Sequence, residues 1–127
     1  MYELKIVSQF AAAHQVRNFR HKCEQLHGHN WKVEVFLRSN QLDSVGLVRD
    51  FGEIKAVTHQ ILSEFDHRFL NELDPFREQN PSSELIAGYL YHRLGEQLNT
   101  GATRVSKVSV WESDNSCASY GENEAAD

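Results

Sequence analysis

The sequence predicts an α+β domain in which an antiparallel four-stranded sheet carries two helices on one face, in the order ββααββ. Three observations lead there. Segments near both ends of the chain alternate apolar and polar residues, the period of a half-buried strand. Two segments between them repeat apolar residues at steps of three and four, the period of an amphipathic helix. The two kinds are also segregated along the chain, which favours hairpins over the parallel crossovers of alternating strands and helices. The 127 residues form one domain, 1–127, large enough to bury a core and without an internal repeat or linker.

The first strand runs from Tyr2 to Phe10, with Tyr2, Leu4, Ile6 and Phe10 on one face. The second runs from about Asn30 to Arg38, where Trp31, Val33, Val35 and Leu37 alternate with Lys32, Glu34 and Arg38. Asp50, with Glu53 three residues on, reads as a capping box. The helix it opens carries Phe51, Ile54, Val57, Ile61, Leu62 and Phe65 as its apolar stripe and ends near Asp66. After Pro75 and Pro81, Ser82 or Ser83 caps a second helix with the stripe Leu85, Ile86, Tyr89, Leu90, Leu94 and Leu98, stopped by Gly101. Arg104 to Glu112 is the third strand. Cys117 to Tyr120 is the fourth, after the turn-rich Ser113-Asp-Asn-Ser116. The small, acidic tail from Gly121 to Asp127 is expected to fray.

Thirteen basic against eighteen acidic residues give a net charge of −5, which argues against a nonspecific nucleic-acid binder. Arg17, Arg20 and Lys22, beside His21, are a local exception: either a solvated basic loop or an anion site suited to a phosphate-bearing substrate. No charged-then-apolar leader and no apolar run of about 20 residues occurs, so the expectation is a cytoplasmic protein that does not engage a membrane. Cys23 and Cys117 both read as thiols, Cys117 as a small buried hydrophobe.

Three histidines carry the chemistry. His14 closes Phe10-Ala-Ala-Ala-His14, and His27 and His29 flank Gly28. Residues two apart on an extended chain point to the same face, so His27 and His29 can reach one ion. Three neutral imidazoles without an obvious fourth side chain describe a zinc site with an open position for water or substrate. The plainer alternatives are a chance surface pair at 27 and 29 and a polar strand cap at His14. Cys23 is open to two readings, as a fourth ligand closing a structural site or as a nucleophile or base beside the metal.

The motifs in order resemble the 6-pyruvoyltetrahydropterin synthase superfamily: Phe10-Ala-Ala-Ala-His14, His21-Lys-Cys-Glu-Gln-Leu-His-Gly-His29, Gly46-Leu-Val-Arg-Asp-Phe51, Phe65-Asp-His67, Asn80-Pro-Ser-Ser-Glu84 and Val110-Trp-Glu112. The resemblance spans nearly the whole chain. Within that superfamily, a cysteine four residues before the first histidine of His-Gly-His, preceded by His-Lys, is most similar to the bacterial 6-carboxytetrahydropterin synthases of queuosine biosynthesis. The resemblance implies the tunnelling fold, with subunits joined edge to edge as trimers around a barrel, two trimers stacking into a homohexamer, and active sites at subunit interfaces. It implies Zn2+ on His14, His27 and His29, Cys23 as the proton-abstracting base, Asp66 and His67 as the supporting acid–base pair, and Glu112 as the carboxylate that anchors the pterin and is sometimes counted in the relay. The implied reaction converts 7,8-dihydroneopterin triphosphate and water to 6-carboxy-5,6,7,8-tetrahydropterin, acetaldehyde and triphosphate.

Residue chemistry agrees with these roles. A zinc held by neutral ligands keeps its charge and acts as a Lewis acid on a substrate oxygen. Cys23, with an ordinary pKa of ~8.5, needs the positive charge that zinc, His21 and Lys22 would supply to serve as a base at neutral pH. Asp66 and His67 are adjacent, so they cooperate only on a turn or a helix end, because neighbours on a strand point apart. Glu112 could take two hydrogen bonds from a pterin's amino group and ring NH, and Ser83 and Glu84 both cap a helix and face the pterin. The sequence departs from the usual pattern at Gln15, Phe65 and Ser82, which leaves Arg49, His21 and Arg17 as candidates for the phosphate contacts. Two other activities stay open: triphosphate elimination, as in 6-pyruvoyltetrahydropterin synthase, and a noncatalytic zinc-stabilised protein with Cys23 as fourth ligand.

Overall fold

The computed structural model describes residues 1–18 and 25–122. The chain runs β1 (Tyr2–His14), β2 (His27–Ser39), α1 (Phe51–Leu62), β3 (Arg68–Phe69), α2 (Ser83–Leu98), β4 (Arg104–Ser113) and β5 (Ser116–Tyr120), with 3-10 turns at Leu70–Glu72 and Asp74–Phe76. The strands form one sheet in the order β3-β1-β2-β4-β5. Apart from β3, neighbouring strands are antiparallel. The expected four strands are all present, and the two-residue β3 adds a fifth, pairing Arg68 and Phe69 in parallel with Ala12 and Ala13. Two residues have no periodicity to read. This strand exists because the turn after α1 returns along β1, where the His67 amide donates to the Ala11 carbonyl at 2.6 Å.

Both helices cover one face of the sheet, α1 over β1 and α2 over β4 and β5. Ile6 and Phe10 of β1, Trp31, Val33, Val35 and Leu37 of β2 and Val105, Val108 and Val110 of β4 meet Ile54, Ile61, Ile86, Leu90, Leu94 and Leu98 in one core. Leu90 is fully enclosed there. Leu90→Ala is therefore expected to lower unfolding free energy by ~2–5 kcal/mol, read as a lower urea midpoint at unchanged slope. The other sheet face is uncovered and amphiphilic: Lys32 lies over the Trp111 ring at 4.6 Å, Lys107 over Phe36 at 4.4 Å, and Trp111 Nε1 donates to Glu34 at 2.7 Å.

Several local expectations change. The β1–β2 hairpin is longer at its histidine end than alternation indicated, because the alanines of 11–13 and Gly28 mask the period while their backbones still pair. Asp50 precedes α1 in extended conformation but makes no side-chain cap, and α1 stops at Leu62, with Phe65 buried from the following turn. Ser82 does cap α2, accepting from the Leu85 amide at 3.1 Å. That helix ends without the glycine stop expected at Gly101: Asn99 turns the chain in extended conformation and its side chain accepts from Val105. Leu85 and Phe51 are exposed rather than in the stripes. Cys117 is an exposed free thiol on β5, not a buried hydrophobe. The tail begins ordered, since a Cβ on Gly121 would lie 2.6 Å from the Ser106 carbonyl oxygen, so only glycine fits this approach to β4. The rest of the expected frayed tail, 123–127, lies outside the described residues. No described helix is long and apolar enough to cross a membrane.

Candidate metal centre

Strand register alone assembles the three histidines. His14, the last residue of β1, stands directly opposite His27, the first of β2, and His29 follows two residues on, opposite Ala12. The inward alternation that buries Phe10, Ala12 and Trp31 also turns these rings to the helix-covered face. Glu112, two residues beyond the buried Val110 on β4, shares that face. The four side chains converge, with one candidate ligand atom from each all within 4.8 Å of one another. Glu112 Oε1 is 2.9 Å from His29 Nε2 and 3.4 Å from His14 Nε2, and His27 Nδ1 meets His29 Nε2 at 2.5 Å. Trp31 packs edge-on beneath, its ring centre 4.8 Å from that of His14 and 5.3 Å from that of His29.

His14 is the most constrained of the three. Its side chain is 1% exposed, and Nδ1 lies 2.8 Å from the Pro81 carbonyl oxygen, which can only accept. This bond assigns the proton to Nδ1 and leaves a lone pair on Nε2. Among the described residues that buried Nε2 makes no hydrogen bond. Buried polar atoms are nearly always partnered. An unpartnered imidazole lone pair beside two further imidazoles and a carboxylate is a donor set that fits a divalent ion of zinc type.

Glu112 was expected at the pterin rather than with the histidines. The structure brings one of its oxygens to His29 and the other to 3.5 Å from Ser83 Oγ, which donates from the first turn of α2. Glu84, beside it, is exposed. Cys23, with Arg20, His21 and Lys22, lies outside the described residues.

Asp66 and His67 do sit on a turn, as their cooperation requires. His67 adopts a left-handed conformation, φ 59°, that swings its ring back so that Nδ1 lies 3.0 Å from Asp66 Oδ2. The other oxygen of Asp66 accepts from the Ala11 amide at 2.9 Å. His67 is 83% exposed and borders a depression of about 530 Å³ lined by Ala11, Ala13, Gly28, Asn30 and Phe69, and also by Ala12 and the candidate ligand His29. Ala11, Ala13, Gly28 and Asn30 alternate with the candidate ligand positions, whereas His29 belongs to both the depression and the histidine group, from which Asp66 and His67 themselves stand apart.

The Ala11 amide, helped by His67, holds the Asp66 carboxyl below its ordinary pKa against the opposing effect of partial burial. A depressed folded-state value means stability that is present above the ordinary Asp value of ~3.9 and lost as pH falls through the lower folded value. The difference in melting temperature between the parent and Asp66→Asn should therefore be constant above about pH 4.5 and shrink below it. A difference that stays flat down to pH 2 would exclude this linkage.

Two arginines expected as phosphate candidates are otherwise engaged. Arg17 donates to the carbonyls of Phe76, Arg77 and Gln79. Arg49 donates to the Leu98 carbonyl and pairs with Glu53. Sequence reasoning missed Pro81 as the orienter of His14; its only signal was membership of Asn80-Pro-Ser-Ser-Glu84.

Fold and site together define a two-layer α+β domain with three histidines and a glutamate gathered at one end of its sheet, a group that could hold a metal ion. A family model described as 6-pyruvoyl tetrahydropterin synthase matches residues 3–123. The chain belongs to that family. It is 34% identical over 116 residues to a 6-carboxy-5,6,7,8-tetrahydropterin synthase of Synechocystis, covering 87% of this chain and 86% of that protein. It is 33% identical over 105 residues to a dihydroneopterin monophosphate aldolase of Pyrococcus furiosus, covering 83% and 84%. The fold matches that of Caenorhabditis elegans 6-pyruvoyl tetrahydropterin synthase with a TM-score of 0.82 at 24% identity, over 96% of both chains.

Proposed function

We propose that this chain is a zinc-dependent pterin lyase that converts 7,8-dihydroneopterin triphosphate and water to 6-carboxy-5,6,7,8-tetrahydropterin, acetaldehyde and triphosphate. The observation that carries the reading is the buried Nε2 of His14, which makes no hydrogen bond among the described residues and is gathered with His27, His29 and Glu112. The Synechocystis relative's name supports the product. His14, His27 and His29 would hold zinc, which as a Lewis acid polarises a substrate oxygen. Cys23 removes the side-chain proton, and the Asp66–His67 pair passes protons at His67 Nε2, Asp66 fixing the ring through Nδ1. Glu112, steadied by Ser83, accepts from the pterin's amino group and ring NH.

The experiment is incubation with dihydroneopterin triphosphate and mass analysis of the products. Carboxypterin with acetaldehyde is the expected pair. Triphosphate release with every side-chain carbon retained would instead make the chain a 6-pyruvoyltetrahydropterin synthase. Cleavage of the side chain to an aldehyde without carboxypterin would ally it with the Pyrococcus relative, and no turnover with loss of fold on chelation would make the zinc structural.

The reading also requires neighbours. Within one chain Asp66 and His67 stand apart from the group formed by the three histidines and Glu112, meeting only His29 across a shared depression, and among the described residues β3 and β5 leave two strand edges open. The chain is expected to form trimers paired as a hexamer, with one subunit's His67 serving another's metal centre. Light scattering gives the mass. Mixing inactive His27→Ala and His67→Ala proteins under exchange conditions should restore part of the activity, and a fully active monomer would refute the arrangement.

A further inference from the structure

Beyond His14, the chain leaves the sheet, yet it continues as though paired. The Asn71 side chain accepts from the Gln15 amide at 2.9 Å and donates to the Gln15 carbonyl at 2.8 Å. The Asn80 side chain does the same for Arg17, accepting from its amide at 2.8 Å and donating to its carbonyl at 3.0 Å. Each carboxamide thus reproduces the pair of bonds a neighbouring strand would make, and they do so at alternate residues, as a strand would. Arg17 closes the arrangement from its own side. Its Nη2 donates at 2.6 Å to both the Phe76 and Gln79 carbonyls and its Nη1 at 2.9 Å to the Arg77 carbonyl, while Nε lies 3.4 Å from Asn80 Oδ1. The residue after Asn80 is Pro81, whose carbonyl takes the His14 Nδ1 proton.

We infer that Asn80, with Arg17 and Asn71, forms a clasp that positions the metal ligand His14, acting as positioning residues for the metal centre. This rests on the zinc reading above. The physical argument is one of register. Pro81 can orient His14 only if segment 76–81 and segment 14–17 keep a fixed offset, and among the described residues no strand pairing beyond His14 sets it. Asn80 sets it through two bonds to one residue, and Arg17 sets it again through three carbonyls of the opposing segment. Proline, lacking an N–H, cannot itself tie the segment to a strand. Partners that orient a metal-bound imidazole through its second nitrogen typically contribute ten- to hundredfold in metal affinity.

The test compares metal-stripped parent, Asn80→Ala and Asn99→Ala, the last removing a similar side-chain-to-backbone bond at the far end of α2. Zinc affinity is read by competition with a chromophoric chelator, ligand geometry by the visible spectrum of the cobalt(II) form, and stability by melting temperature. Asn80→Ala should weaken zinc by about ten- to hundredfold and alter the cobalt spectrum. Asn99→Ala should lose comparable melting temperature and keep zinc affinity within about twofold. Asn80→Asp, which still accepts from the Arg17 amide but cannot donate to its carbonyl, should fall between. If Asn80→Ala does not fold, Arg17→Lys carries the same expectation, since an ammonium cannot span three carbonyls in one plane. Unchanged zinc affinity in a folded clasp variant, or equal weakening by Asn99→Ala, overturns the inference alone. A parent that binds neither metal overturns the zinc reading and this inference with it.

Discussion

His27→Ala is expected to lose about 10²–10³-fold in zinc affinity while leaving the fold in place. Tetrahedral zinc sites bind with roughly 10–16 kcal/mol shared among four ligands, so one imidazole accounts for about 2.5–4 kcal/mol. His27 is the ligand to choose because it is half-buried at the start of β2, whereas His14 is enclosed and its loss would also strand the Pro81 carbonyl. Parent protein dialysed against zinc should hold about one ion per chain, with absorption spectroscopy giving nitrogen neighbours at about 2.0–2.1 Å. Full retention of zinc by His27→Ala, or a sulfur neighbour at about 2.3 Å in the substrate-free protein, would rule out an open three-histidine centre.

Cys23→Ala and Glu112→Gln should separate chemistry from binding. If Cys23 is the base, its alanine variant keeps zinc and binds a nonreactive pterin analogue, yet loses turnover by a factor on the order of 10²–10⁴. Glu112→Gln replaces one acceptor oxygen by a donor facing a donor, which should weaken the analogue by on the order of 1–3 kcal/mol. Because Glu112 Oε1 also lies 2.9 Å from His29 Nε2, zinc affinity of this variant is measured alongside. Loss of zinc with unchanged analogue binding would make Glu112 a ligand and not an anchor. Normal turnover by Cys23→Ala removes the proposed base.

The parts of this molecule that were legible in the sequence are those written in a repeating period. Trp31, Val33, Val35 and Leu37 announce β2, and Ile86, Leu90, Leu94 and Leu98 announce α2, because burial on one face is what their spacing encodes. His27 and His29 could be paired on the same logic, and strand register then supplied His14. What escaped depends on contacts between distant segments. The β3 pairing is set by a turn, the end of α2 by Asn99 reaching Val105, and the exposure of Cys117 by its place on an edge strand. Arg17 looked like an anion ligand because a sequence displays its charge and not the three carbonyls that occupy it.

The two-residue period of the β1–β2 hairpin divides labour between odd and even neighbours. Positions 14, 27 and 29 gather as candidate ligands, while 11, 13, 28 and 30 floor the depression, whose rim His29 shares. A side chain introduced at Gly28 would grow away from the imidazoles, where the nearest atom is the Ala12 carbonyl oxygen at 3.9 Å. The shape of that depression can therefore drift through substitution while the ligands keep their geometry.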